Sequence, residues 1–210
     1  METISLSGST AVVVDFFEYC VNSILFQRGV YPREDFRISK KYGIPLFVTT
    51  NPELKDYIDQ IISQVRDWMK SNKISKLILV IKSRETGQVL ERWQFDVHVV
   101  QQVEPVTATE ENPEDMEIVD NSVNESTRQQ IRALMRQISA SVTFLPELDQ
   151  DDCTINVLVH TDQDVNVPTT WGDSDPKLIE GGGEHVRLKS FSTSVHKISA
   201  LVAYRIDDEE

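Results

Sequence analysis

Cysteine is scarce: Cys20 and Cys153 are the only two, far apart and outside any Cys-x-x-Cys pair. That excludes a disulfide framework and a zinc ribbon, suits a reducing compartment, and makes both inert core thiols. The chain does not open on a charged stretch followed by an apolar run, and no apolar run approaches the length that spans a bilayer. A cytosolic or nuclear protein is expected. Basic residues are also few, 21 Lys and Arg against 34 Asp and Glu, for a net charge of −13. The molecule as a whole therefore repels nucleic acid and anionic membrane and favours basic partners. No internal repeat divides the 210 residues, and 40% hydrophobic content is enough for one domain with one core.

Helical periodicity is strong at the start. Ser9 is placed to cap a helix in which Val13, Phe17, Cys20 and Ile24 recur at three- and four-residue spacing before Gly29 stops it. A second helix opens at Asn51-Pro52, and Leu54, Ile58, Ile61, Val65 and Trp68 mark its buried face. A third opens at Ser126, with Gln129 completing a capping box; Ile131, Leu134, Ile138 and Val142 face inward, and Arg128, Arg132 and Arg136 form a stripe on another face. That stripe is read either as a solvated face with local acidic partners or as a partner-binding face.

Strand patterns fill the rest. Residues 75–83, with an unbroken apolar centre, read as a strand covered on both faces. Val89, Trp93, Phe95, Val97 and Val99 alternate with Arg92, Gln94, Asp96 and His98, as in a hairpin partner with one wetter face. Cys153–His160 is a further strand with Ile155, Val157 and Val159 on one face, and two more follow Gly181, Gly182 and Gly183, the last carrying Ile198, Ala200, Val202, Tyr204 and Ile206. Between Gln101 and Glu125 there are eight acidic residues and no Lys or Arg, which reads as a mobile loop within the domain. The order of elements predicts α+β, not a βαβ array.

Catalytic and metal patterns fail one by one. Asp162, Asp164, Asn166 and Asp173 are spaced like calcium ligands, but Val167 stands where the sharp turn needs Gly and the terminal Glu is missing. Two Ser-x-x-Lys matches lack companion motifs, the four histidines show no metal spacing, and the triple glycine precedes neither Lys-Ser/Thr nor a helix. No enzyme, cofactor or metal site is expected.

Four blocks carry a resemblance over nearly the whole chain: FFEYCVNSILFQRGVYP (16–32), LERWQFDV (90–97), IRALMRQISASVTFLPEL (131–148) and RLKSFSTSVHKISALVAYRI (187–206). They closely resemble the spindle-assembly-checkpoint members of the HORMA-domain family. The resemblance implies one HORMA domain over residues 1–210, a mainly antiparallel sheet packed on three helices, with a C-terminal belt over about 161–206. It implies an adaptor that entraps peptides of a kinetochore coiled-coil receptor and of the activator of the anaphase-promoting complex, delaying anaphase. A pseudokinase-like checkpoint complex is a further implied partner, and the implied location is the nucleus, the mitotic kinetochore and the cytoplasm.

The resemblance also implies two forms. In the open one the C-terminal segment occupies a sheet edge; in the closed one it crosses the sheet and straps a peptide against the strand carrying Ile155, Val157 and Val159. By matched position, Arg136, Gln137 and Phe144 join an open to a closed molecule, Leu6 influences the balance, and Trp68 affects ligand engagement. Trp171, Gly181 to Gly183, Ile198, Val202 and Tyr204 belong to the belt. Other members clasp a translesion polymerase or organise meiotic axes; the RWQF and RQISASVTFLP blocks favour the checkpoint branch. Serines where RQISAS should carry threonines, the longer acidic loop and the DDEE tail are departures from the family pattern.

Overall fold

The computed structural model describes residues 6–100, 123–162 and 164–206; most of the acidic loop and the DDEE tail lie outside them. Helix α1 (Leu6–Gln27) is followed by a hairpin of β1 (Phe36–Lys41) and β2 (Ile44–Thr49), then α2 (Pro52–Lys70), β3 (Ile74–Ser83), β4 (Val89–Val99), α3 (Glu125–Ala140), β5 (Cys153–Thr161), β6 (Glu184–Ser192) and β7 (His196–Tyr204). Strands β3 to β7 form one antiparallel sheet in the order β5-β3-β4-β7-β6.

Helix α1 is apolar on nearly every side because it is enclosed on nearly every side. Val12, Val13, Val14, Phe16, Phe17, Cys20, Ile24 and Leu25 are fully buried, and α1 packs against α2, α3, β2 and β7. In length and composition it could cross a membrane, contrary to the sequence expectation, but its apolar residues are the centre of this core. Gly29, at φ 63°, ends it; the neighbouring amides of Arg28 and Val30 close back on Ile24 and Leu25. Ser9 is not the cap: it lies inside the helix, fully buried.

Local chemistry explains α2 as expected. Asn51 Oδ1 accepts from the Leu54 amide at 3.2 Å, and Pro52 occupies the first turn. On α3 the cap is Asn124, whose side chain accepts from Thr127 N at 2.7 Å; Ser126 falls within the first turn. Ile131, Leu134 and Ile138 are buried as expected, but Val142 lies past the helix end and is exposed.

The helices cover one face of the sheet, where Leu77, Leu79 and Ile81 join the main core. Ile78 and Val80 point the other way and are also fully buried, beneath Leu158 of β5 and Ile179 of the connection from β5 to β6. That connection explains the unbroken apolar run in β3. It also covers the β4 face expected to be wet: Arg92 and Gln94 are buried, and Arg92 Nε donates to the Pro176 carbonyl at 3.3 Å. The β1–β2 hairpin has no counterpart in the sequence reading; the charged β1 and the apolar, half-exposed β2 lack a clean alternation.

Candidate functional site

Strand β5 is an edge: β3 is its only neighbour among the described residues. Alternate residues of a strand turn the same way. The Val100 amide donates to the Val195 carbonyl, so even-numbered residues of β4 face β7 and Trp93 faces β3; Leu79, opposite Trp93, therefore faces β4, and the main-chain groups of Val157 opposite it, with those of Ile155 and Val159, face away from β3. The side chains of these three residues are half-buried against the main core. The edge thus offers main-chain donors and acceptors beside an apolar floor. Burial pushes the Tyr57 phenol up, with the Val157 amide pulling the other way.

The segment after β5 wraps this side of the sheet. Lys73 anchors its start, with Nζ 2.9 Å from Asp164 and 3.4 Å from Asp162. The cation at the calcium-like loop is therefore a lysine of the chain itself, and Lys73 holds the Asp164 carboxyl below the usual range. Trp171 then packs edge-on against Trp68, with ring centroids 5.0 Å apart, on the helical side of the sheet. By Pro176 and Ile179 the segment lies on the opposite face. It changes faces between Trp171 and Pro176.

Its end requires glycine for two different reasons. Gly181 and Gly182 have φ of 79° and 82°, a region that L side chains avoid. At Gly183 a Cβ would sit 2.5 Å from the Tyr204 carbonyl oxygen. The triple glycine is fitted to a particular path as well as being freely jointed.

The terminal hairpin, β6–β7, sits at the sheet edge opposite β5. Ile198, Ala200, Val202 and Tyr204 are buried, and Phe191 packs edge-on to Phe16 at 4.8 Å. Its turn is tied to α1: Ser9 Oγ lies 2.6 Å from Thr193 Oγ1 and 2.7 Å from His196 Nδ1. Burial drives the His196 imidazole down to about 4, so it is neutral in this cluster at physiological pH. The other end of α1 closes a second buried polar group that the sequence reading missed. Arg28 Nε donates to Glu91 Oε1 at 2.8 Å and Trp93 Nε1 to Glu91 Oε2 at 3.0 Å, while an Arg28 Nη2 proton reaches the Pro146 carbonyl. Burial pushes the Glu91 carboxyl up, and Arg28 opposes it.

On the outer surface of α3 the basic stripe divides. Arg128 and Arg132 pair with Glu125, and Arg132 Nε also donates to the Tyr42 carbonyl. Arg136 is exposed, as are Val142 and Phe144 beyond the helix end. Gln137 turns toward β6, its Oε1 accepting from the Lys189 amide at 2.7 Å. Leu6, at the helix start, is buried.

Comparison with known proteins accords with this architecture. The HORMA domain pattern matches residues 9–196. The chain is 49% identical over 204 residues to the mitotic spindle checkpoint component mad2 of Schizosaccharomyces pombe, covering 97% of this chain and 95% of that one. It is 41% identical over 203 residues to the human mitotic spindle assembly checkpoint protein MAD2A, covering 97% and 93%. Among solved structures, a chain of the mitotic checkpoint complex superposes with a TM-score of 0.80 at 50% identity, covering 95% of this chain and 99% of that one.

Proposed function

Since this chain belongs to the HORMA-domain family, with spindle checkpoint proteins as close relatives, we propose that it is a spindle assembly checkpoint adaptor working by peptide capture. The observation that carries the reading is the open β5 edge, wrapped by its own following segment while the terminal hairpin occupies the far edge. An extended peptide adds to β5 through main-chain hydrogen bonds, and its alternate side chains meet Ile155, Val157 and Val159. The partners are the kinetochore coiled-coil receptor, the activator of the anaphase-promoting complex and a pseudokinase-like checkpoint complex. A net charge of −13 favours Lys or Arg flanking the bound segment. In this reading the hairpin, on the edge away from β5, is in the closed position, and in the open form it would take the β5 edge. The protein acts in the nucleus, at mitotic kinetochores and in the cytoplasm, and by binding, not catalysis.

Val157→Pro tests the edge. Proline removes an amide that the β3 ladder does not use and is tolerated at sheet edges, so the fold should survive. A labelled synthetic peptide from the complex activator should bind the parent chain and bind the variant at least tenfold more weakly, by fluorescence anisotropy. Cells relying on the variant should leave mitosis without delay when spindle microtubules are depolymerised. Equal binding by a folded variant would remove β5 as the capture edge.

Arg136 and Phe144 are both exposed, as positions that join an open to a closed molecule would be. Arg136→Ala should weaken self-association with peptide affinity unchanged. Identical sedimentation profiles for variant and parent, at concentrations where the parent dimerises, would refute that assignment.

A further inference from the structure

At the second edge of the five-stranded sheet, the outer side of β6 is met by side chains of α3 at Lys189 and Ser192. The Ser192 amide donates to Gln130 Oε1 at 2.9 Å, and the Ser192 carbonyl accepts from Thr127 Oγ1 at 2.7 Å. Between Arg187 and Ser190 the register with β7 shifts, and the Lys189 amide inside that irregularity is taken by Gln137 Oε1. Residues three and seven apart share a helix face, so Thr127, Gln130 and Gln137 line α3 as a row of polar groups where another strand would otherwise pair. Edge strands left with unpaired main-chain groups recruit other strands; at Lys189 and Ser192 those groups are satisfied from within the chain.

We propose that Thr127, Gln130 and Gln137 are positioning residues for peptide capture: they dock the terminal hairpin on the edge away from β5 and leave β5 as the edge that accepts a peptide. This rests on reading β5 as the capture edge. The row's bonds to the sheet run to β6, at Lys189 and Ser192, so it acts through the hairpin. Apparent affinity falls in proportion to the fraction of molecules in the binding-competent arrangement. Weakening the row lowers that fraction without altering the edge itself. Ser9, bonded to Thr193 and His196 at the hairpin turn, fixes the other end of the same element.

Thr127→Val with Gln130→Met removes the donor and the acceptor at Ser192 with little change in shape. Gln137 is left alone because it neighbours the self-association surface. The double variant should bind the labelled activator peptide about tenfold more weakly than the parent, equivalent to about 1.4 kcal/mol. Hydrogen exchange at the Ser192 amide should accelerate, and the helical circular dichroism should be unchanged. Gln130→Glu, which keeps an acceptor oxygen, should bind as the parent does, whereas Gln130→Met alone should not. Fast Ser192 exchange with parental affinity would overturn the positioning role, and so would unchanged exchange in the double variant. A parent chain that binds no peptide would overturn the reading of β5, and this role with it. If the double variant unfolds, the comparison of Gln130→Glu with Gln130→Met decides; equal affinities there overturn the proposal.

Discussion

Replacing Arg28 with alanine is expected to destabilise the chain by about 3–5 kcal/mol, the cost of leaving one charge of a buried pair without its partner. Arg28 is 7% exposed and Glu91 1%, and the guanidinium supplies the carboxylate's main donor while also holding the Pro146 carbonyl. Without it, Glu91 keeps only the Trp93 indole proton. Loss of Arg28 removes the largest influence lowering a carboxyl that burial already raises. A carboxyl with a raised folded-state pKa stabilises the fold below its ordinary value and loses that contribution as pH rises through the folded one. The deficit of Arg28→Ala should therefore narrow as pH falls through the carboxylate range. Adding Glu91→Gln, which abolishes the orphaned charge, should recover part of the loss at neutral pH. Urea denaturation of parent, single and double variants checks this. An unfolding free energy for Arg28→Ala within about 0.5 kcal/mol of the parent's would mean that water or rearrangement satisfies Glu91.

The Arg28–Glu91 pair also marks where the sequence ceases to be readable. Asn51-Pro52 and the apolar steps of α2 are local patterns enforced by local physics, and the structure contains them as they stand. The α3 cap is a narrower miss: Ser126 and Gln129 satisfy a capping-box spacing, but Asn124 lies earlier and its carboxamide reaches the Thr127 amide. Arg28 and Glu91 draw no reading from the sequence, Ser9 reads as a helix cap and His196 as a histidine without metal spacing, because their partners lie 63 or 187 positions away. Arg92 and Gln94 are covered by a segment that returns from far along the chain. Alternation identifies strands without giving their order. Which strand is an edge came from the family resemblance, and the sheet order here puts β5 there.

Deleting Ser199 to Glu210 should abolish stable peptide retention, and the described form gives the reason. Over the register from His196 to Tyr204, β7 pairs with β4 on one side, and it carries β6 on the other. The segment that wraps β5 is thus held at one end by β5 itself and at the other by a hairpin built into the sheet. An edge peptide alone, at ~1 kcal/mol net for each main-chain bond, is weakly held once ordering costs are met. Strapped beneath the segment, it leaves only when the hairpin comes off β4, so engagement and release are both slow. Truncation frees one end of the strap. Peptide dissociation should accelerate by about 100-fold or more, as loss of about 3 kcal/mol of enclosure requires. Burial of Ala200, Val202 and Tyr204 is lost as well, so the truncated chain should melt at a lower temperature while keeping its helical circular dichroism. Gly183→Val separates the two effects. It leaves β7 in the chain but puts a side chain against the Tyr204 carbonyl, blocking the close approach of the strap's end to β7. It too should release peptide faster than the parent. If both variants remain folded and release peptide at the parent's rate, the terminal hairpin is not the latch.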